Sequence, residues 1–414
     1  GGLNNGGLYD FRKVGDGLLI LGDNSSTFTG TRSFTIGDNG VRVTHNGAFG
    51  NNTINAVINP TAALEIAVSN WTPTANLTQT WGSIERWAVS DARGTGDFTL
   101  ADGVHLQVFA DLVGTRTIDL AGGSIMGYLP MDFEQVAVIQ TVRSGVTLNL
   151  TADSYLGQIY PAGVSNGQNS LFYDMGKLNT TTNLNPTDPG LRGSYLQIDG
   201  NITGNFNLTK VGQDIIKLSG TGNTYGSTTI ENGILQIGAN NVLPLGGTLT
   251  TKFAGMFDLN GYNQEVAGLQ GDGGSINNGA FENKTLTVNQ AADTTYGGQV
   301  NGNVTFRKKG AGRLVFTAVN SHRGGTVIEA GTLSIAQTSS LGYTSLAFRA
   351  DALRFAGGTL ETTATTSLSA NSGVTLESAG GTVATAAGTT FSIESAVTGS
   401  GSLTKTDTGT LELN

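Results

Sequence analysis

Apolar and polar residues alternate along most of the chain in short runs separated by Gly- and Asn-rich turns, and the alternation recurs with a fixed grammar. Residues 306–335 read FRKKGAGRLVFTAVNSHRGGTVIEAGTLSI, residues 208–237 read LTKVGQDIIKLSGTGNTYGSTTIENGILQI, and residues 11–43 read FRKVGDGLLILGDNSSTFTGTRSFTIGDNGVRV. A fourth copy, LTKTDTGTLEL, opens at Leu403. Each begins with an apolar residue, a polar one and a lysine: Lys13, Lys210, Lys308 and Lys405. After a turn comes a strand with apolar residues at i and i+2, namely Leu19 and Leu21, Ile216 and Leu218, Leu314 and Phe316, Leu411 and Leu413. Side chains two apart leave a strand on the same side, so each strand has one buried face. A polar loop and a β-branched strand ending at Ile36, Ile230 or Ile328 follow. A tight turn then leads to two further inward slots: Val41 and Val43, Leu235 and Ile237, Leu333 and Ile335. Gly233 and Gly331 fill that turn where the first copy has Asn39. These residue types tolerate positive φ, so the constraint is conformational.

The spacing predicts that the copies stack. Phe316 to Ile335, and Leu218 to Ile237, is 19 residues, whereas the first copy needs 22 because its polar loop is longer. One coil of about 20 residues is the period of a parallel β-solenoid, whose units bury their apolar face only on neighbours. The lysines at 210, 308 and 405 lie 98 and 97 residues apart, and 197 residues, close to two such periods, separate the first two. The missing copy would fall near Val113, where VFADLVGTRTIDLAG keeps the alternation without the lysine. The recurring lysines are expected to pack their stems and leave the ammonium in water.

The K-x-G-x-G-x-L-x-L strand, the N-x-Y/F-x-G-x-T loop and the I-x-x-G-x-L-x-I close resemble the autotransporter-associated β-strand repeat of bacterial autotransporter passenger domains. The resemblance implies a right-handed parallel β-helix, exported through the outer membrane to the bacterial cell surface. There it would serve as a stalk, adhesin or fibre segment rather than as an enzyme. No alternating segments of an outer-membrane barrel follow the repeats. The absence of a leader before Gly1 and the break within the fourth copy at Asn414 are expected of part of a longer polypeptide, with end-to-end stacking of separate chains as the alternative.

The expected layout is solenoid coils over 1–48, an excursion over 49–97, coils over 98–153, a loop-rich excursion over 154–193, and regular coils over 194–414. Within the first excursion, NPTAALEIAVSN at 59–70 predicts a short helix with Asn59 as N-cap and Pro60 at its first position. With 62 Gly, 7 Pro and 13% charged residues, the chain is too apolar for disorder and too poor in helix formers for a helical array. A net charge of −9 without a basic cluster argues against nucleic acid and anionic membrane surfaces as partners. The absence of cysteine excludes disulfides and thiolate metal sites, and no stretch approaches the length of an apolar membrane span.

Trp71, Trp81 and Trp87 are the candidate ligand contacts, since exposed aromatic faces can stack on sugar rings; the alternative is a small core. The corresponding partners would be surface glycans or receptors on host or neighbouring cells. Asp132 and Glu134 are an i, i+2 pair that would share a face on a strand, and a polysaccharide-binding or polysaccharide-cleaving enzyme on a β-helix scaffold needs clustered carboxylates, although solvated surface charge also accounts for them. His45, His105 and His322 are scattered, and no cofactor or metal is expected.

Overall fold

The computed structural model describes residues 10–14, 18–22, 33–37, 40–46, 55–59, 62–69, 76–79, 83–89, 92, 97–127, 139–157, 195–212 and 214–414. It divides into two units, residues 1–225 and 226–414. Over the described residues each is a β-solenoid in which every paired strand is parallel. In the first unit, Leu19–Leu21, Gly40–Val43, Ala63–Ile66, Ile84–Trp87, His105–Val108, Ser124–Gly127, Ser154–Leu156 and Leu208–Lys210 form one ladder. In the second, Gln264–Val266, Lys284–Asn289, Val304–Lys309, Thr326–Ile328, Arg349–Phe355, Ser372–Leu376 and Val397–Gly399 form another. A neighbouring face of the second unit runs from Thr294–Tyr296 through Arg313–Phe316, Thr332–Ile335, Thr359–Thr362 and Gly381–Thr385 to Leu403–Thr406.

The register follows the spacing. Phe316 pairs with Ile335 and Leu314 with Leu333, 19 residues on; Leu21 pairs with Val43, 22 residues on. The alternation is read directly into burial: Leu314, Leu333, Ile335 and Leu360 are fully buried and Phe316 is 2% exposed. Phe316 packs its ring on Phe306 and Tyr296, with centroids 4.8 and 6.1 Å away. Gly233 and Gly331 do take positive φ, 66° and 62°. At Gly331 a Cβ would also lie 2.4 Å from the Gly310 carbonyl oxygen of the preceding coil, so both conformation and space demand glycine there.

Two expectations fail between 49 and 97. The described residues of the segment belong to the solenoid rather than to an excursion: Asn55–Ile58 and Asn76–Gln79 extend the ladder begun by Asp10–Lys13 and Ser33–Ile36, while Ala63–Ile66 and Ile84–Trp87 lie within the first ladder. The helix at 59–70 is likewise replaced, because Ala63–Ile66 is a fully buried strand paired on both sides. Ala, Leu and Glu favour a helix by only tenths of a kcal/mol each, and two ladders of backbone hydrogen bonds override that preference. Of the loop-rich stretch 154–193, Ser154–Leu156 is a ladder strand and the remainder from 158 lies outside the described residues.

Candidate functional site

The repeated lysines are where the structure departs furthest from the sequence reading. Lys210 and Lys308 are completely buried, ammonium included. Each Nζ donates to the carbonyls of the next two residues: Val211 at 2.7 Å and Gly212 at 2.9 Å in one copy, Lys309 at 2.7 Å and Gly310 at 2.8 Å in the other. Lys405 bonds the Thr406 carbonyl and, at 3.0 Å, that of Asp407; Lys13 reaches Val14 at 3.3 Å. The residue two beyond the lysine has positive φ wherever it is described: 73° at Gly212, 73° at Gly310 and 64° at Asp407. That left-handed residue turns successive carbonyls inward at a corner where no strand can satisfy them. Buried carbonyls without donors are costly, and the ammonium supplies three. Lys308 also donates to Ala330 of the following coil at 3.3 Å, so it staples two coils.

The two buried ammonium groups are held differently. Lys210 pairs with Asp214 at 2.6 Å. Burial pushes its pKa down, and the Asp214 carboxylate opposes the shift. At Lys308 the i+4 position is Gly312, the ammonium donates to three backbone carbonyls, and burial lowers its pKa to about 8 against an opposing pull from the Asp293 carboxylate. Near the missing copy, buried Arg116 takes over: its Nη2 donates to the Val113 carbonyl at 2.7 Å.

Trp87 is core. It is fully buried, its Nε1 donates to Glu85 Oε1 at 2.7 Å, and its ring lies 5.7 Å from Phe98 and 5.4 Å from the Arg116 guanidinium carbon. No face of it is left for a ligand. Glu85 occupies the inward column between Leu64 and Leu106, accepting a second hydrogen bond from Gln79 at 2.7 Å. Trp71, Trp81, Asp132 and Glu134 lie outside the described residues. His105 and His322 are buried against Ser124 and Thr326, 2.7 and 3.0 Å away, and desolvation lowers both to about 4. His45 is half-buried on a turn. Among the described residues no three His, Asp or Glu side chains gather as metal ligands.

A groove of about 500 Å³ opens on the side of the second unit. Its floor is an outward column from four consecutive coils, Thr250, Gln270, Thr295 and Val315, paired Thr250 to Gln270 and Thr295 to Val315. Lys252, Asp272, Asp293 and Arg313 stand around it. Sequence reasoning missed it because its members come from four coils, and only Arg313 and Val315 lie within a recognised copy of the repeat.

The passenger-associated-transport-repeat pattern matches residues 208–237 and 306–335, each of which contains one of the two buried lysines. The chain carries the repeats of autotransporter passengers. It is also 29% identical over 267 residues to the Adhesin BmaC autotransporter of Brucella suis biovar 1 (strain 1330). That match covers 58% of the chain and 8% of the adhesin, so the chain spans a small part of that relative's length. No solved structure matches.

Proposed function

We propose that the chain belongs to a secreted passenger standing at the bacterial cell surface, where it acts in adhesion rather than catalysis. The similarity to the Brucella adhesin, running through more than half of the chain, carries the reading. The buried polar groups support it: the recurring cations are consumed in holding turn carbonyls, and Trp87 and Glu85 satisfy one another in the core. The partners that fit are glycans or receptors on host or neighbouring cells. Recognition would then fall to the lateral surface, since loops and faces on a rigid scaffold are where binding residues collect.

Beads coated with the 414-residue chain should attach to epithelial or bacterial cells above the level of uncoated beads. Equal attachment would refute the adhesin reading. Incubation of the chain with acidic and neutral polysaccharides should release no reducing or unsaturated oligosaccharide; release would turn the assignment to a polysaccharide-cleaving enzyme.

A further inference from the structure

We propose that the groove between Thr250 and Val315 binds a neutral saccharide, with Phe253 as its stacking face. The proposal rests on the adhesin reading and gives it a site. Four features combine.

Phe253 is 82% exposed, although large aromatics are ordinarily buried. It also sits at φ 38°, in a turn closed by the Gly255 amide on the Lys252 carbonyl at 2.8 Å. Glycine or asparagine fills such a position without strain, and a phenyl ring gains no core packing there that would offset it. The ring therefore has neither a folding role nor a conformational reason to be present.

The coil beyond Phe253 carries glycine on both sides of Asp272. Gly271 stacks on Thr251, where a Cβ would lie 2.0 Å from the Thr251 carbonyl oxygen, and Gly273 stacks on Phe253, where it would lie 3.0 Å from the Phe253 nitrogen. Gly297 and Gly298 continue the bare corner in the next coil. Lys252, which immediately precedes Phe253, lines the groove, as does Asp272, which immediately precedes the Gly273 stacked on Phe253, so the Phe253 backbone adjoins two lining residues.

The charges select the ligand. Both cations are already engaged, Lys252 with Glu231 at 3.0 Å and Arg313 with Glu361 at 2.6 Å and Ser334 at 2.9 Å. Among the described residues Asp272 has no hydrogen-bond or ion-pair partner, and only one oxygen of Asp293 is used, by the Arg313 amide at 2.7 Å. What the groove offers is chiefly carboxylate and hydroxyl acceptors, since the Gln270 amide already donates to the Thr250 hydroxyl at 3.3 Å. That set suits a ligand rich in hydroxyl donors and repels a polyanion.

The dimensions fit as well. The volume falls within the range of small-ligand sites. Its floor repeats at the strand spacing of roughly 4.8 Å, on the scale of one pyranose ring per coil.

The test is calorimetric titration of the 414-residue chain with cellotriose, maltotriose and chitotriose, and with trigalacturonate as the anionic control. At least one neutral trisaccharide should bind and trigalacturonate should not. Phe253→Gly and Asp272→Asn should each weaken binding about tenfold. Phe253→Gly should leave the thermal midpoint unchanged or raised, since glycine relaxes the turn, which separates loss of a contact from loss of fold. Failure of every neutral trisaccharide to bind, binding undiminished in both variants, or preference for trigalacturonate would each overturn the proposal. Bead attachment distinguishes this failure from failure of the adhesin reading. Phe253→Gly beads that attach as well as wild type would reject the groove and leave adhesion standing, whereas wild-type beads that do not attach reject adhesion itself.

Discussion

Lys210 and Lys308 occupy the same slot of the same repeat, one in each unit, and the two coils solve one problem by different chemistry. Both ammonium groups are buried and both cap the two carbonyls that follow. Lys210 adds a carboxylate from its own turn, so charge meets charge inside the coil. Lys308 adds a third carbonyl from the next coil, so a charge is balanced chiefly by dipoles. What the two sites share, the carbonyl-capping geometry, is the part of the motif the repeat preserves; the counter-charge is optional.

Removing the carboxylate should give the largest effect. Asp214→Ala leaves the Lys210 ammonium buried without its closest counter-charge, a change that typically costs about 3–5 kcal/mol. Replacing both partners, as in Lys210→Met with Asp214→Leu, should recover much of that loss because no charge remains to be desolvated. Urea denaturation followed by circular dichroism, with hydrogen exchange to localise the change, measures both. A loss below about 1 kcal/mol for Asp214→Ala would mean that carbonyls alone suffice at Lys210 and that the two sites are energetically alike.

The second effect is a pH dependence specific to Lys308. Its folded-state pKa, about 8, lies below the ordinary 10.5. Between those values the unfolded chain still holds a proton that the folded chain has released, so stability rises as pH rises through this window. A shift of this size corresponds to on the order of 3 kcal/mol. Wild type should therefore gain stability over Lys308→Met between pH 8 and about 10.5, as read from denaturation midpoints at both ends. Parallel curves for the two proteins would show that the carbonyls hold the proton as firmly as water does. The buried histidines act in a separate window: lowered to about 4, they reduce stability as pH falls below about 6.5, with the unfolded chain taking up the protons first.

The scaffold was legible in the sequence because its cause is side-chain alternation. Phe316 over Ile335, Leu21 over Val43 and the positive φ of Gly331 all follow from apolar spacing and turn residues. The role of the lysines was not, because their partners are backbone carbonyls, which leave no trace in residue pattern; the clue was the left-handed residue two places on. The strand at Ile84–Trp87 was hidden for a related reason. Glu85 stands in an inward slot, so the buried face reads as polar, and only the fold brings the Gln79 and Trp87 donors to it. Ala63–Ile66 was obscured by helix-forming residues. Phe253 looked like any aromatic until the structure placed it at positive φ in water.

The smallest effect belongs to the fourth copy and decides what the ammonium is for. Lys405 makes the same pair of carbonyl contacts, and Asp407 takes the same left-handed conformation, but in the 414-residue chain the site is open to water. The turn geometry therefore does not depend on burial. If the lysine stabilises by satisfying carbonyls that water cannot reach, Lys405→Met should cost no more than about 0.5 kcal/mol, since solvent can replace its donors. Lys308→Met, which strands three acceptors in the interior, should cost several times as much at neutral pH. If instead attraction between a cation and the turn dipoles dominates, the two substitutions should cost similar amounts, and the Lys405 loss should shrink as salt is added. Denaturation of both variants at low and high ionic strength separates the two accounts.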